Sequence, residues 1–215
     1  MKVKSFQGGY DKNLCYLIWC EETNIAGIID PSVFPEDIID FVENNNLKIN
    51  KILITHTHHD HIQYLDEIHD KYSEADIYIS KETTFQDKEY IGLEHNDVIS
   101  IGENLVHALF TPGHYNDSIC YWCKDTNFLF TGDTVFVGRT GRTIGFGSDI
   151  EKLYHSIYNI ILKLPIYTKI FPGHHYGYTE IITIRDNIKY SDFFSCSSFG
   201  EFVLVMKNFE KNRKK

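Results

Sequence analysis

Short apolar runs bounded by turn residues dominate the first half of the chain, and they predict strands. One helical pattern interrupts them: it begins at Pro35, places Ile38 and Val42 on one side, and ends at the asparagine run 44–46. Apolar residues at near-helical spacing also predict a helix directly after His61, whereas residues 80–91 predict only a short helix and a loop. The strands predicted in this half are residues 3–6, 14–19, 25–30, 52–55 and 76–79.

The second half begins with an unbroken β pattern and then becomes mostly helical. Its predicted strands are residues 98–101, 105–111, 118–122, 128–130 and 169–171, and its predicted helices are residues 149–162 and 179–189. A last helix is expected after the capping box that Ser198 and Glu201 would form, with Phe202, Val205, Met206 and Phe209 as its buried stripe. Strands, a helix, more strands and more helices in this order favour stacked sheets with helices outside them.

The strand predicted at 52–55 leads into the chain's most unusual segment, which carries His56, His58, Asp60 and His61 within six positions. Imidazole nitrogen and carboxylate oxygen are both ligands of zinc and similar metals. In extended backbone, residues i and i+2 point the same way, so His56 and His58 can bind one ion. If the next helix starts near Asp60, then Asp60 and His61 lie in its first turn and can bind a second ion.

Three further candidates repeat one local design: a metal-capable side chain stands just beyond an apolar strand and directly after a glycine. They are His114 after Gly113, Asp133 after Gly132 and His174 after Gly173. Glycine permits a tight turn and a close approach of the backbone. Strand ends are rigid positions from which side chains can converge. The sequence therefore predicts one cleft that collects all of these ligands.

Composition narrows the class of protein. The chain has 215 residues with 42% apolar content, enough for a single domain over 1–215 with a short helical extension at about 179–215. A formal net charge of −9 argues against a nucleic-acid partner. No apolar run approaches the roughly 20 residues of a membrane span, and no signal peptide is visible, so no membrane partner and a cytoplasmic location are expected. The spacing of Cys120 and Cys123 in a predicted strand favours packing over metal or redox use.

Four segments together resemble the metallo-β-lactamase superfamily: Thr55-His56-Thr57-His58-His59-Asp60-His61, Thr111-Pro112-Gly113-His114, Thr131-Gly132-Asp133 and Pro172-Gly173-His174. The resemblance covers about residues 1–190. It implies an αββα sandwich of two mixed β-sheets flanked by helices, with a dinuclear site at one edge of the sheets. Position by position it implies that His56, His58 and His114 bind the first metal, that Asp60, His61 and His174 bind the second, and that Asp133 bridges both.

Within that superfamily the chain is similar to glyoxalase II, the hydroxyacylglutathione hydrolases. The resemblance implies that Arg142 binds the glutathione carboxylate and that Tyr176 contacts the thiol peptide. Two features depart from that family: its second aromatic contact falls at Ile144, and only 41 residues follow His174, which shortens the helical domain that completes the thiol pocket. Arg213 or Lys214 in the basic tail could replace the missing contact.

The implied activity is hydrolysis of a thioester such as S-lactoylglutathione by a hydroxide that bridges two divalent ions. Asp60 and Asp133 are the predicted catalytic residues, and both are also predicted ligands. The ions are expected to be zinc, with iron or manganese as alternatives. Two other functions stay open: a lactonase, and a persulfide dioxygenase, which the segment Gly141-Arg142-Thr143 resembles and which would hold one iron through His56, His114 and Asp133.

Overall fold

Two six-stranded mixed β-sheets form the centre of the structure, a computed structural model in which residues 1–212 are described. In the first sheet the spatial order of the strands is their order along the chain. Strands β1 to β3 pair antiparallel, and β3 to β6 pair parallel. The strands are β1 (Lys2–Gly8), β2 (Asn13–Trp19), β3 (Ile25–Ile29), β4 (Lys48–Leu53), β5 (Asp76–Ser80) and β6 (Ile91–Leu93).

The second sheet has the order β12-β11-β10-β9-β8-β7, and its one parallel pair is β10 with β11 within the described residues. A helical crossover joins that pair, because parallel neighbours cannot be connected by a hairpin. The strands are β7 (Val98–Ile101), β8 (Asn104–Phe110), β9 (Ile119–Cys123), β10 (Phe128–Gly132), β11 (Lys169–Pro172) and β12 (Ile182–Thr183).

Helices cover the outer face of each sheet, so the αββα expectation is confirmed. One apolar cluster, which includes Tyr16, Tyr121 and Phe130, lies between the sheets. The helices are α1 (Pro35–Asn44), α2 (Leu65–Lys71), α3 (Ile150–His155), α4 (Ile184–Tyr190) and α5 (Phe199–Asn212). A second cluster joins the first sheet to α1 and α2, and a third joins the second sheet to α3, α4 and α5. Within the described residues, none of the helices has both the length and the apolar character that crossing a membrane requires.

Strand β9 shows how alternation builds these layers. Cys120 belongs to the cluster beneath the helices, and Cys123 belongs to the cluster between the sheets. Side chains three positions apart on a strand point to opposite faces, as the sequence predicts. Burial raises the pKa of each thiol to about 12, so both thiols stay protonated and unreactive at neutral pH. The packing role predicted for this pair is confirmed.

The segment between β4 and α2 differs from its prediction. Strand β4 ends at Leu53, and α2 begins only at Leu65, so Asp60 and His61 do not lie in the first turn of a helix. The backbone of this segment bonds to other parts of the fold: Ile54 N donates to the Tyr78 carbonyl at 2.9 Å, and Tyr64 N donates to the Pro31 carbonyl at 3.0 Å. These tertiary bonds keep the ligand-bearing residues in irregular turns. Residues 80–91 also form no helix, and the short strand β6 begins at Ile91.

The C-terminal helices also differ at their ends. The helix predicted at 149–162 stops being α-helical after His155 and continues as one π turn and one 3₁₀ turn. The helix predicted at 179–189 begins later, at Ile184, because the preceding residues pair with β11 and the Thr183 hydroxyl caps the helix. The expected capping box is half formed: Ser198 Oγ accepts from Glu201 N, but the Glu201 carboxylate turns to Ser197. Arg213 and Lys214 lie outside the described residues.

Candidate metal centre

The seven predicted ligands lie together at one edge of the sandwich. The loop after β4 carries four of them, and the segments that follow β8, β10 and β11 carry His114, Asp133 and His174. Their placement follows from the topology, since the carboxyl ends of these strands meet at the same edge of the two sheets. Three groups of their nitrogen and oxygen atoms come close enough to hold an ion: His56 with His58 and His114; His56 with His61 and Asp133; and Asp60 with His61 and His174.

The first group consists of three imidazoles whose nitrogens converge. His58 Nδ1 lies 3.0 Å from His56 Nε2 and 3.1 Å from His114 Nε2. Burial is the largest cause that lowers the pKa of all three, to about 4 in His58, and the neighbouring imidazoles lower it further. The three rings are therefore neutral at pH 7, which is the form of imidazole that binds a metal ion.

The second group places two imidazoles beside the carboxylate of Asp60. His174 Nε2 lies 3.3 Å from His61 Nε2 and 3.3 Å from Asp60 Oδ2. Burial disfavours the charged form of His174, but Asp133 and Asp60 outweigh it and raise its pKa to about 9. The second group therefore offers a more anionic surrounding than the first.

Asp133 stands between the two groups. Its Oδ2 lies 3.5 Å from His114 Nε2, and its Oδ1 lies 3.2 Å from His61 Nε2 and 3.4 Å from His174 Nε2. Burial alone would raise the pKa of this carboxyl, but the two imidazoles on the Oδ1 side hold it well below its usual value. An ionised carboxylate with one oxygen toward each group is suited to bind two ions at once.

The other ring nitrogen of four histidines is held by an acceptor from the protein. Nδ1 of His114 bonds to the Arg142 carbonyl at 3.0 Å, and Nδ1 of His174 bonds to the Asp11 carbonyl at 2.9 Å. Nδ1 of His61 bonds to the Asp30 carboxylate at 2.8 Å, and Nδ1 of His56 lies 3.1 Å from Thr55 Oγ1. A neutral ring whose Nδ1–H donates outward presents the bare lone pair of Nε2 inward. The pKa of His61 and of His174 is raised, so an ion that binds these rings would release their second ring proton. The donor set therefore fits divalent metal ions.

Comparison with known proteins agrees with this geometry. The family model of the metallo-beta-lactamase superfamily matches residues 8–174. The chain belongs to the metallo-β-lactamase superfamily.

Its relatives within the superfamily include proteins named as hydrolases of more than one kind. The chain is 31% identical over 206 residues to the probable polyketide biosynthesis zinc-dependent hydrolase BaeB of Bacillus velezensis, covering 94% of this chain and 88% of that protein. It is 31% identical over 212 residues to the probable hydroxyacylglutathione hydrolase glo2 of Schizosaccharomyces pombe, covering 94% of this chain and 77% of that protein. The crystal structure of ETHE1 from Myxococcus xanthus superposes with a TM-score of 0.89 at 27% identity, covering 100% of this chain and 93% of that one.

Three polar residues that support the candidate metal centre were not predicted from the sequence. Asp30 is buried and accepts hydrogen bonds from Thr55 N at 2.7 Å and Thr55 Oγ1 at 2.6 Å, as well as bonding His61. Asn13 is fully buried and donates to Asp60 Oδ2 at 3.0 Å. The backbone of Asp11 holds His174. Asp30 carried a usable signal, because it directly follows a buried strand just as Asp133 does.

Four further residues lie in or beside the site. His59 is exposed. Asp117 accepts hydrogen bonds from Thr57 N at 3.3 Å and Thr57 Oγ1 at 2.6 Å, between the first two histidines. The two predicted substrate contacts, Arg142 and Tyr176, line a cavity of about 490 Å³ that also reaches both groups of predicted ligands. The assignment of each of these residues to a metal or a substrate stays a prediction.

The glycines that precede the ligands are required by close backbone packing in the site. A Cβ added to Gly173 would lie 2.6 Å from Asp133 Oδ1 and 2.6 Å from His61 Cε1. A Cβ at Gly132 would collide with the Thr55 hydroxyl and lie 2.7 Å from Thr55 Cβ. The predicted reason for these glycines, a close approach of the backbone, is thus confirmed at both positions.

Gly173→Ala is expected to displace Asp133 and His61 and to weaken metal binding at least about tenfold, as the loss of groups that orient ligands does, so that less metal is retained per chain. Metal content after gel filtration, measured by plasma emission, checks this. Gly145→Ala is the matched control, since a Cβ there meets nothing within 4 Å. Equal metal content in the two variants would contradict the close-approach argument.

Proposed function

We propose that the chain is a dinuclear thioester hydrolase similar to glyoxalase II, acting on a hydroxyacyl thioester such as S-lactoylglutathione. The observation that carries this proposal is the position of Asp133, whose two carboxylate oxygens face the two different ligand groups. The second group, in which Asp60, His61 and His174 converge, offers the ligands for a second ion. Relatives named hydroxyacylglutathione hydrolases, at about 30% identity, support the thioester substrate.

The proposed ligand sets are His56, His58 and His114 for one ion, and Asp60, His61 and His174 for the other, with Asp133 shared. Divalent ions held there would lower the pKa of a bound water to about 7 and so supply a hydroxide at neutral pH. Nitrogen and oxygen donors suit zinc, iron and manganese. We favour zinc, because the relative BaeB is named a zinc-dependent hydrolase.

The protein's own groups set the conditions for this chemistry. The outward hydrogen bonds at Nδ1 of His114 and His174 fix the rings, so no reorientation is needed during turnover. Asp60 and Asp133 are the proposed catalytic carboxylates, ionised at neutral pH because neighbouring histidines hold the pKa of each below its usual value. Arg142 and Tyr176 in the cavity wall are proposed to bind the thiol half of the substrate.

Metal removal tests the proposal. The purified protein is expected to contain close to two ions per chain and to hydrolyse S-lactoylglutathione. Dialysis against a chelator should abolish hydrolysis, and addition of zinc should restore it. Metal analysis together with thiol release measures both properties in one sample.

Two results would point to the other functions. One iron per chain, no thioester cleavage and oxygen uptake with glutathione persulfide would replace the proposal by a persulfide dioxygenase. Two ions per chain with cleavage of lactones but not of thioesters would replace it by a lactonase.

A further inference from the structure

Both side chains proposed to bind the thiol half of the substrate are already paired with acids of this chain. Arg142 Nε donates to Glu210 Oε1 at 3.0 Å. The Tyr176 hydroxyl donates to Asp11 Oδ2 at 2.6 Å. The cavity in front of the two ligand groups is lined by Arg142, Tyr176 and Asp11, among other residues. A substrate carboxylate would therefore meet a guanidinium that already has a carboxylate partner.

Helix α5 holds Glu210 in this position through contacts with two residues that precede Arg142. The guanidinium of Arg139 lies 5.4 Å from the ring centre of Phe209, and Thr140 Oγ1 donates to the Met206 sulfur at 3.2 Å. The last turns of α5 are thus packed along the segment from Arg139 to Arg142. The backbone position of Glu210 is therefore fixed, because Met206 and Phe209 pack its helix against this segment.

The pairing changes what the cavity attracts. The side chain of Arg142 is 42% exposed and that of Glu210 is 23% exposed, so solvent and a substrate can still reach the pair. An incoming carboxylate would gain the attraction of Arg142 but would also meet the negative charge of Glu210, and like charges at short range cost free energy. The formal net charge of −9 adds a longer-range repulsion of anions.

We propose that Glu210 is a specificity-determining residue: by holding Arg142 it makes the site prefer thioesters whose thiol half bears no carboxylate over glutathione thioesters. The proposal rests on the proposed thioester hydrolysis and narrows its substrate class. The carboxylate of Glu210 acts through Arg142 and touches no reacting atom.

The test compares two thioesters of the same acyl group, S-lactoylglutathione and the uncharged S-lactoyl-N-acetylcysteamine, with the zinc-loaded full chain. In Glu210→Gln the ratio of kcat/KM for the anionic thioester to kcat/KM for the uncharged thioester is expected to rise, mainly through KM. A rise of about fivefold is the upper range for the loss of a partly exposed ion pair. The matched control is Glu43→Gln, which removes the same charge from another exposed pair, 2.8 Å from Lys71, and should keep the wild-type ratio. In an Arg142→Gln background, Glu210→Gln should no longer raise the ratio.

An equal change for both thioesters, or an unchanged ratio, would overturn the proposal and leave Glu210 a residue that only fastens α5. If neither thioester is cleaved, the proposed function fails while the specificity question is still answered by binding. Calorimetric titration of the zinc-loaded protein with glutathione should then show about fivefold tighter binding by Glu210→Gln than by Glu43→Gln. Equal affinities there would also overturn the proposal.

Discussion

Asp133→Ala is expected to lose more than about a hundredfold in thioester turnover and most of the bound metal, since loss of groups that only support ligands already costs about 10- to 100-fold. The reason is that Asp133 faces both ligand groups, within 3.5 Å of His114 on one side and 3.2 Å of His61 on the other. Removing it takes away a ligand from each proposed ion and leaves the three facing imidazoles without their central negative charge. Turnover and metal content of the same preparation measure the effect.

Two variants give this experiment its contrast. Asp133→Asn keeps the shape of the side chain and removes its charge, so it separates the loss of charge from the loss of volume. Asp125→Ala removes an exposed aspartate that precedes the same strand, β10, and should keep metal and turnover. If Asp133→Ala retained two ions per chain with normal turnover, the shared-ligand assignment would be wrong.

Asp30→Ala is expected to lower both the free energy of unfolding and the metal affinity, although Asp30 is not a predicted ligand. Its carboxylate accepts from Thr55 N, Thr55 Oγ1 and His61 Nδ1, all at 2.8 Å or less. Each buried donor left without a partner costs about 1–3 kcal/mol. Loss of the bond to His61 also frees its ring to rotate, which should weaken metal binding about 10- to 100-fold.

Thermal unfolding of the metal-free protein and zinc titration with a competing chelator separate these two effects. Asp30→Asn keeps one acceptor oxygen and should fall between the wild type and the alanine variant. Asp37→Ala, in the exposed first turn of α1, serves as the control. A normal unfolding temperature together with normal zinc affinity in Asp30→Ala would show that Asp30 supports neither Thr55 nor His61.

The parts of the fold and site that the sequence predicts are those encoded locally. Alternation identified β9 and the separate roles of Cys120 and Cys123, because the period of a strand is visible in a few residues. A strand followed by glycine and a metal-capable side chain identified His114 and His174 as residues of one cleft. Each of these patterns needs no knowledge of distant parts of the chain.

What the sequence did not reveal depends on contacts between distant segments. Asp11 holds His174 across 163 positions, and Glu210 holds Arg142 across 68. The predicted start of α2 was wrong for a similar reason: Tyr64 N donates to the Pro31 carbonyl, a contact that local propensity does not encode. Side chains that orient ligands have no spacing rule, since only the folded chain brings them to the ring they hold.

The two sheets are also the two halves of the chain, since β1 to β6 end at Leu93 and β7 to β12 begin at Val98. Of the predicted ligands, His56, His58, Asp60 and His61 belong to the first half, and His114, Asp133 and His174 belong to the second. Neither half alone holds a complete ligand set, so an ion would bind tightly only to the assembled pair. Metal binding would then add its free energy to the association of the two halves. The two halves would therefore unfold together as one cooperative unit.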